Sequence, residues 1–226
     1  KLISYSQPAG EIEGLEDVQD LIAFAARVSN PSNQLNTETS TRLLNYLSKH
    51  KHWSPFEMAS ACLEIETTRD IARQILRHRS FSFQEFSQRY ANPLEDLEFV
   101  IREARLQDEK NRQNSVEINE KILDENGHDL AITWQQHQEN VIAYCKSVYE
   151  YAIKNGIAKE QARAVLPEGL TTSRLYMNGT IRSWIHYCDL RCGNGTQKEH
   201  MEIAIAVAKA ISEIFPLIGS YAKSDC

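Results

Sequence analysis

The chain has 226 residues, 42% of them hydrophobic and 25% charged, with a net charge of −6. This is the make-up of one sizeable globular domain. Its apolar runs, such as Leu21–Ala26 and Ile203–Ala208, stop well short of the roughly 18 residues that a membrane span needs. A membrane protein, a collagen, a disulfide scaffold and a disordered chain are excluded. The negative total does not draw the chain to nucleic acid or to an anionic membrane. Five scattered cysteines (Cys62, Cys145, Cys188, Cys192, Cys226) point to free thiols in a reducing compartment. With no secretory leader visible, the expected location is the cytoplasm.

Residues 2–5 read as a short strand. Leu15, Val18, Ile22 and Ala25 recur at helical spacing and predict a helix to about Val28, followed by a polar turn over 29–33. A second helix starts near Thr37–Ser40, carries Leu43, Leu44 and Leu47, and runs toward His50. Ser54-Pro55-Phe56-Glu57 has the form of a capping box and predicts one helical turn. Strict alternation over Cys62–Thr67 predicts a half-buried strand. Thr68 then caps a helix from Arg69 to Arg77.

Leu97–Ile101 predicts a strand, and residues 102–128 a polar excursion or a solvated helix. Val141, Cys145, Val148 and Ala152 mark a long helix that ends at Asn155-Gly156. A short helix, Lys159–Leu166, stops before Pro167. Thr171–Met177 is rich in β-formers, and Thr180 caps a helix to about Leu190. Ile203, Val207, Ile211 and Ile214 define the last helix, which stops near Pro216. The sum is an α+β fold, a single domain over 1–226 with long helices packed on a small mixed or antiparallel sheet.

Of 14 arginines, five fall between Arg69 and Arg89 and four between Arg163 and Arg191, with no lysine in either window. The guanidinium is permanently charged and forks onto phosphate or carboxylate oxygens, whereas lysine is a flexible point charge. Arg69, Arg73 and Arg77 stack four apart on one helical face, an arrangement that costs stability unless anions or carboxylates meet it. Two readings stay open on charge alone: a bound anion, or structural ion pairs with nearby Asp and Glu.

No Walker loop, GxGxxG or GxSxG is present, so a Rossmann cofactor domain and a serine hydrolase are not supported. His186, Cys188 and Cys192 lie close together but lack a regularly spaced fourth ligand, and no metal site is expected. None of the thiols sits in a recognisable activating context. The densest constellation runs from Arg77 to Tyr90 and offers three arginines, a histidine, a carboxylate, hydroxyls and aromatic rings. Such a segment can hold phosphates and a planar ring together. A solvated loop and an aromatic–basic RNA patch are its alternatives.

Arg77-His78-Arg79 followed after seven residues by Ser87, then Gln88-Arg89-Tyr90, resembles the signature of the flavin-dependent thymidylate synthases. Ala25–Ser29, His52–Glu57, Arg163–Pro167 and Asp189–Arg191 with Gln197 and Glu199 extend the resemblance over nearly the whole chain. It implies an α+β fold and a homotetramer with sites shared between subunits. It also implies methylation of dUMP to dTMP, with methylenetetrahydrofolate as one-carbon donor and NADPH as reductant. Reduced FAD is then the hydride source and methylene relay, and no cysteine acts as nucleophile.

By resemblance, Gln74, Arg77, Glu85, Ser87, Arg89, Arg163 and Arg191 bind dUMP, with Arg191 catalytic as a fixed cation stabilising negative charge on the uracil ring. Ser54, Arg77, His78, Arg79, Glu85, Thr180, Arg182 and His186 match FAD-binding positions, with Ser29 and His52 as further candidates. Thr180 and His186 stand where the family pattern has asparagine, and Gly195 where a histidine is common.

Overall fold

The computed structural model describes residues 1–193 and 195–222; Cys226, one of the five cysteines, lies outside the described residues. In chain order the elements are β1 (Leu2–Tyr5), α1 (Val18–Ala26), α2 (Ser40–Lys49), β2 (Ser60–Thr68), α3 (Arg69–Ile75), β3 (Ser82–Glu85) and α4 (Pro93–Asp96). There follow β4 (Arg105–Gln107), β5 (Ser115–Glu117), α5 (Leu130–Lys154), α6 (Lys159–Ala162), β6 (Thr172–Thr180), α7 (Ile181–Arg191) and α8 (Lys198–Ser212). Four strands hydrogen-bond in the order β1-β2-β6-β3, and β4 and β5 form a separate pair. The fold is α+β, with long helices and a small antiparallel sheet.

By packing, the chain divides into two compact units. The first takes residues 1–65, 78–84 and the chain from Tyr176 onward; the second takes 66–77 and 85–175.

In the first unit β1 runs antiparallel to β2, pairing Leu2 with Leu63 and Tyr5 with Ala61. Alternation along β2 turns Ala61, Leu63 and Ile65 inward. Helix α1 is capped by Asp17, whose carboxylate accepts from the Asp20 N–H at 2.9 Å, and it packs on α2. Helix α7 packs on α8, and Trp184 of α7 donates its indole N–H to the Ala61 carbonyl at 3.0 Å. The buried face of α8 is His200, Ala204, Val207, Ala208 and Ile211. That face is displaced from the predicted stripe, because Ile203 and Ile214 are only half-buried and two alanines and a histidine fill the seam.

In the second unit the core gathers Tyr149, Ala152, Ala162 and Leu166, with Leu94, Phe99 and Ile153 against them. Helix α5 is capped by Asp129, which accepts from the Ala131 and Ile132 N–H groups, and it ends before Gly156 at φ 77°.

Several expectations need correction. Residues 97–101 are not a strand: Phe99 makes a lone bridge to Thr171, and Val100 donates to the Leu170 carbonyl. Part of 102–128 is the β4–β5 hairpin, not a helix, with Leu106 opposite Val116. Its turn is built on Asp108, which accepts from Lys110 N, Asn111 N and Asn114 Nδ2; these bonds hold its carboxyl below the usual range. Helix α3 ends at Ile75, and strand β3 lies inside the segment read as a loop.

The capping box does not form. Ser54 lies inside a 3-10 turn that follows Trp53, and its side chain makes no capping bond. Nor does the Thr68 side chain accept a capping bond; its hydroxyl donates instead to Asp70 Oδ1 at 2.6 Å.

Candidate active site

The predicted site residues fall into two sets, one in each unit. Ser54, His78, Arg79, Thr180, Arg182, His186 and Arg191 belong to the first. Gln74, Arg77, Glu85, Ser87, Arg89 and Arg163 belong to the second.

In the first set, β6 delivers Thr180 to the start of α7, where its hydroxyl accepts from the Ser183 N–H at 3.2 Å; the expected cap forms. Close by, Arg182 pairs with Glu57. His186 is exposed and meets Trp53 edge-on with centroids 4.8 Å apart. Burial and the nearby Arg182 hold its pKa below the ordinary value.

Arg191 closes α7 and donates from Nε to His78 Nε2 at 3.0 Å. Burial, and then the Arg191 charge, bring His78 down to about 4, so it is neutral and able to accept. Phe81 stacks edge-on against Trp184 at 4.6 Å, and the place it occupies exists because residue 179 has no side chain.

In the second set, Glu85 at the end of β3 accepts from the Ser173 hydroxyl at 2.9 Å and lies 3.8 Å from both Arg69 and Arg73. Arg69 is buried, and its pKa is lowered by desolvation against the opposing pull of Glu85. Arg73 also reaches Glu168 at 3.5 Å. Two of the three stacked arginines are therefore met by carboxylates, as the ion-pair reading requires. The third, Arg77, is exposed, and its guanidinium has no ion pair or hydrogen bond among the described residues; the same holds for Arg79 in the first set.

Arg89 and Arg163 converge on one residue. Arg89 reaches the Glu160 carboxylate at 3.3 Å, and Arg163 Nε donates to the Glu160 carbonyl at 3.3 Å. Ser87 accepts weakly from the Arg89 N–H at 3.4 Å, and Lys159 anchors the loop through the Tyr90 carbonyl at 2.9 Å.

Glu57 and Glu160 escape a reading of the sequence because carboxylates distant in sequence give no local signal. Tyr187 and His200, which surround His78, escape it too. Only the helical spacing of His200 from Ala204, Val207 and Ile211 hints that it is buried.

Flavin dinucleotide presents a pyrophosphate and a flat ring with polar edges. The donor groups of the first unit suit it: Arg79 offers a guanidinium group with no partner among the described residues, Ser54 has a hydroxyl not consumed by capping, and neutral His78 lies among aromatic rings. The fold and these residues define an α+β protein with exposed arginines that carry no carboxylate partner among the described residues.

The comparison with known proteins is more specific. The family described as thymidylate synthase complementing protein matches residues 12–217. Over 218 residues the chain is 49% identical to the probable flavin-dependent thymidylate synthase of Paramecium bursaria Chlorella virus 1, covering 96% of this chain and 95% of that protein. It is 47% identical to the flavin-dependent thymidylate synthase of Synechocystis sp., covering 97% of each. It is 35% identical to the one from Thermus thermophilus, over 87% of this chain and 68% of that protein. The chain belongs to the flavin-dependent thymidylate synthase family of enzymes.

Proposed function

We propose that this protein methylates dUMP to dTMP, taking the carbon from methylenetetrahydrofolate and reducing equivalents from NADPH, with FAD as its bound cofactor. The observation that carries this reading is the Arg77-His78-Arg79 to Ser87 segment, with two guanidinium groups left free for ligands, in a chain related end to end to flavin-dependent thymidylate synthases.

FAD, when bound, supplies the hydride and carries the one-carbon unit to the pyrimidine. Ser54, Arg77, His78, Arg79, Glu85, Thr180, Arg182 and His186 are the residues proposed to hold it. Ser87, Arg89 and Arg163 are proposed to seat the dUMP phosphate, with Gln74, Arg77 and Glu85 along the nucleotide. The Arg89 pair with Glu160 supports its role, because a phosphate can take the place of that carboxylate, while Arg163 is held on the same turn through the Glu160 backbone carbonyl.

Arg191 is proposed to stabilise negative charge developing on the uracil ring. A guanidinium suits this, since it stays charged and can be anchored through Nε while its forked end faces a ligand. No cysteine nucleophile is invoked. Burial pushes the Cys62 and Cys145 thiols up, and the hydrogen bond with Cys192 and burial push Cys188 up; the same hydrogen bond lowers Cys192, which is buried beside it.

A homotetramer in the cytoplasm completes the reading. Helix α5 supports self-association, since Ile132, Trp134, Val141, Tyr144 and Tyr151 are all exposed along it. The four described cysteines are free thiols, in keeping with a reducing compartment. No described helix is long and apolar enough to cross a membrane.

The test is an anaerobic assay of FAD-loaded protein with dUMP, methylenetetrahydrofolate and NADPH, read by chromatography. The expected product is dTMP, with formation depending on all three additions. Retained flavin without dTMP would overturn the assignment.

A further inference from the structure

Behind His78 lie two groups to which the proposed chemistry gives no task. Tyr187 sits one helical turn before Arg191 on the same face of α7, and His200 sits in the first turn of α8. Both are buried, at 1% and 0% exposure. His200 Nε2 and the Tyr187 hydroxyl are hydrogen-bonded at 3.1 Å. The His78 ring meets Tyr187 edge-on at 5.0 Å and His200 edge-on at 6.3 Å between centroids.

The direction of the Arg191 hydrogen bond fixes the state of His78. An arginine Nε–H can only donate, so His78 Nε2 must present its lone pair and the ring proton must sit on Nδ1. A second proton would abolish the bond and set two cations side by side. The opposite tautomer would bring two N–H groups into collision. The guanidinium geometry thus depends on one ring keeping one plane and one tautomer. The two Nη groups of Arg191 carry no intramolecular hydrogen bond among the described residues, so the fork is free while Nε is anchored.

We propose that Tyr187 and His200 are positioning residues, which clamp His78 as the hydrogen-bond acceptor for Arg191 and so aim the Arg191 fork at an anionic ligand. The arrangement makes this more than core packing. Ring edges on His78 fix its plane, and the hydroxyl–imidazole bond ties α7 to the first turn of α8, so neither ring can turn alone. Burial supplies the dry surroundings in which His78 stays unprotonated. His200 is held neutral in the same way, at about 3, by burial and then by the Arg191 charge. The cluster therefore keeps one cation among groups that do not compete with it.

The catalytic part of this inference rests on the function proposed above, but its structural part does not, and the test separates them. The protein has seven histidines. Long-range proton–nitrogen correlation on imidazole-15N-labelled full-length protein reads each tautomer, and His78→Gln assigns the His78 signals. The expected wild-type result at pH 7 is a neutral His78 with its proton on Nδ1. A proton on Nε2, or a charged ring, would overturn the inference without any variant.

In Tyr187→Phe, which keeps the ring and removes the hydroxyl, the His78 signals are expected to broaden toward a tautomer mixture. His200→Leu should do the same, and His200→Gln, which can still bond Tyr187, should restore the wild-type pattern. Where dTMP is made, kcat should fall about tenfold in Tyr187→Phe and His200→Leu, with little change in KM for dUMP. Folded variants with unchanged His78 signals would show that the two residues merely fill space. Absence of dTMP from the wild type would count against the proposed function and leave the His78 result standing.

Discussion

At the residue scale, charge placement decides most of what the site can do. Arg89 and Glu160 are both about half exposed, so their pair contributes under about 1 kcal/mol, and a phosphate can displace it cheaply. Arg89→Ala and Arg163→Ala are each expected to raise KM for dUMP about tenfold, the size of a lost charge-assisted hydrogen bond, with the melting temperature little changed. Steady-state kinetics beside thermal denaturation would show it; unchanged KM would remove both from the phosphate site.

The histidines make a second residue-scale prediction. Folded His78 and His200 titrate at about 4 and about 3, well below the ordinary 6.5. Between the folded and ordinary values the unfolded chain binds more protons than the folded one, so stability rises with pH across that window. The stabilisation is fully present above about pH 6.5 and is lost as pH falls toward 4. Melting temperatures taken from pH 7 to pH 4 should drop, and His200→Gln should flatten the drop. A flat wild-type profile would mean that these imidazoles titrate near their ordinary value in the folded protein.

At the element scale, the short strand–helix junctions carry more of the site than the long helices do. Gly179, near the end of β6, is the clearest case. A Cβ there would enter the Phe81 ring, which packs against Trp184 and lies within 6.4 Å of His78. Gly179→Ala is expected to cost about 1–3 kcal/mol through overpacking, read as a lower urea midpoint, and to perturb the His78 signals. Thr180→Ala next to it should cost about 1 kcal/mol through loss of the cap, and Thr180→Ser should restore it.

Elements with strong periodicity are legible in the sequence alone: α1, α2, β2, α5, β6, α7 and α8 all stand close to where spacing places them. The errors have physical causes. The capping box at Ser54 fails because the turn starts at Trp53 and Glu57 is taken by Arg182. The hairpin in 102–128 is hidden because exposed strands need no apolar alternation. The α8 seam is misplaced because alanines weigh little in a hydrophobic pattern, and His200 is lost with them. The Arg77–Tyr90 segment is conspicuous through residue type alone, whereas Tyr187, His200, Glu57 and Glu160 take their places only through tertiary packing.

At the scale of the whole molecule, α5 stands out. Twenty-five residues long, it buries only Gln138, Tyr149 and Ala152, and it leaves Trp134 44%, Tyr144 72% and Tyr151 65% exposed. A helix this apolar on its open side is expected to be covered by further copies of the chain. Light scattering should find a tetramer. Trp134→Glu with Tyr144→Glu should yield smaller species; a wild-type monomer at micromolar concentration would contradict the assembly.

Whether this arginine framework couples a bound flavin to pyrimidine methylation is decided by one anaerobic titration. Protein loaded with FAD and desalted is reduced with NADPH until the visible flavin absorbance is gone, then mixed with dUMP and methylenetetrahydrofolate. The absorbance is expected to return and dTMP to appear in equal amount, with neither change when either substrate is left out. A flavin that stays bleached with both substrates present, or that recovers without dTMP, would contradict that coupling.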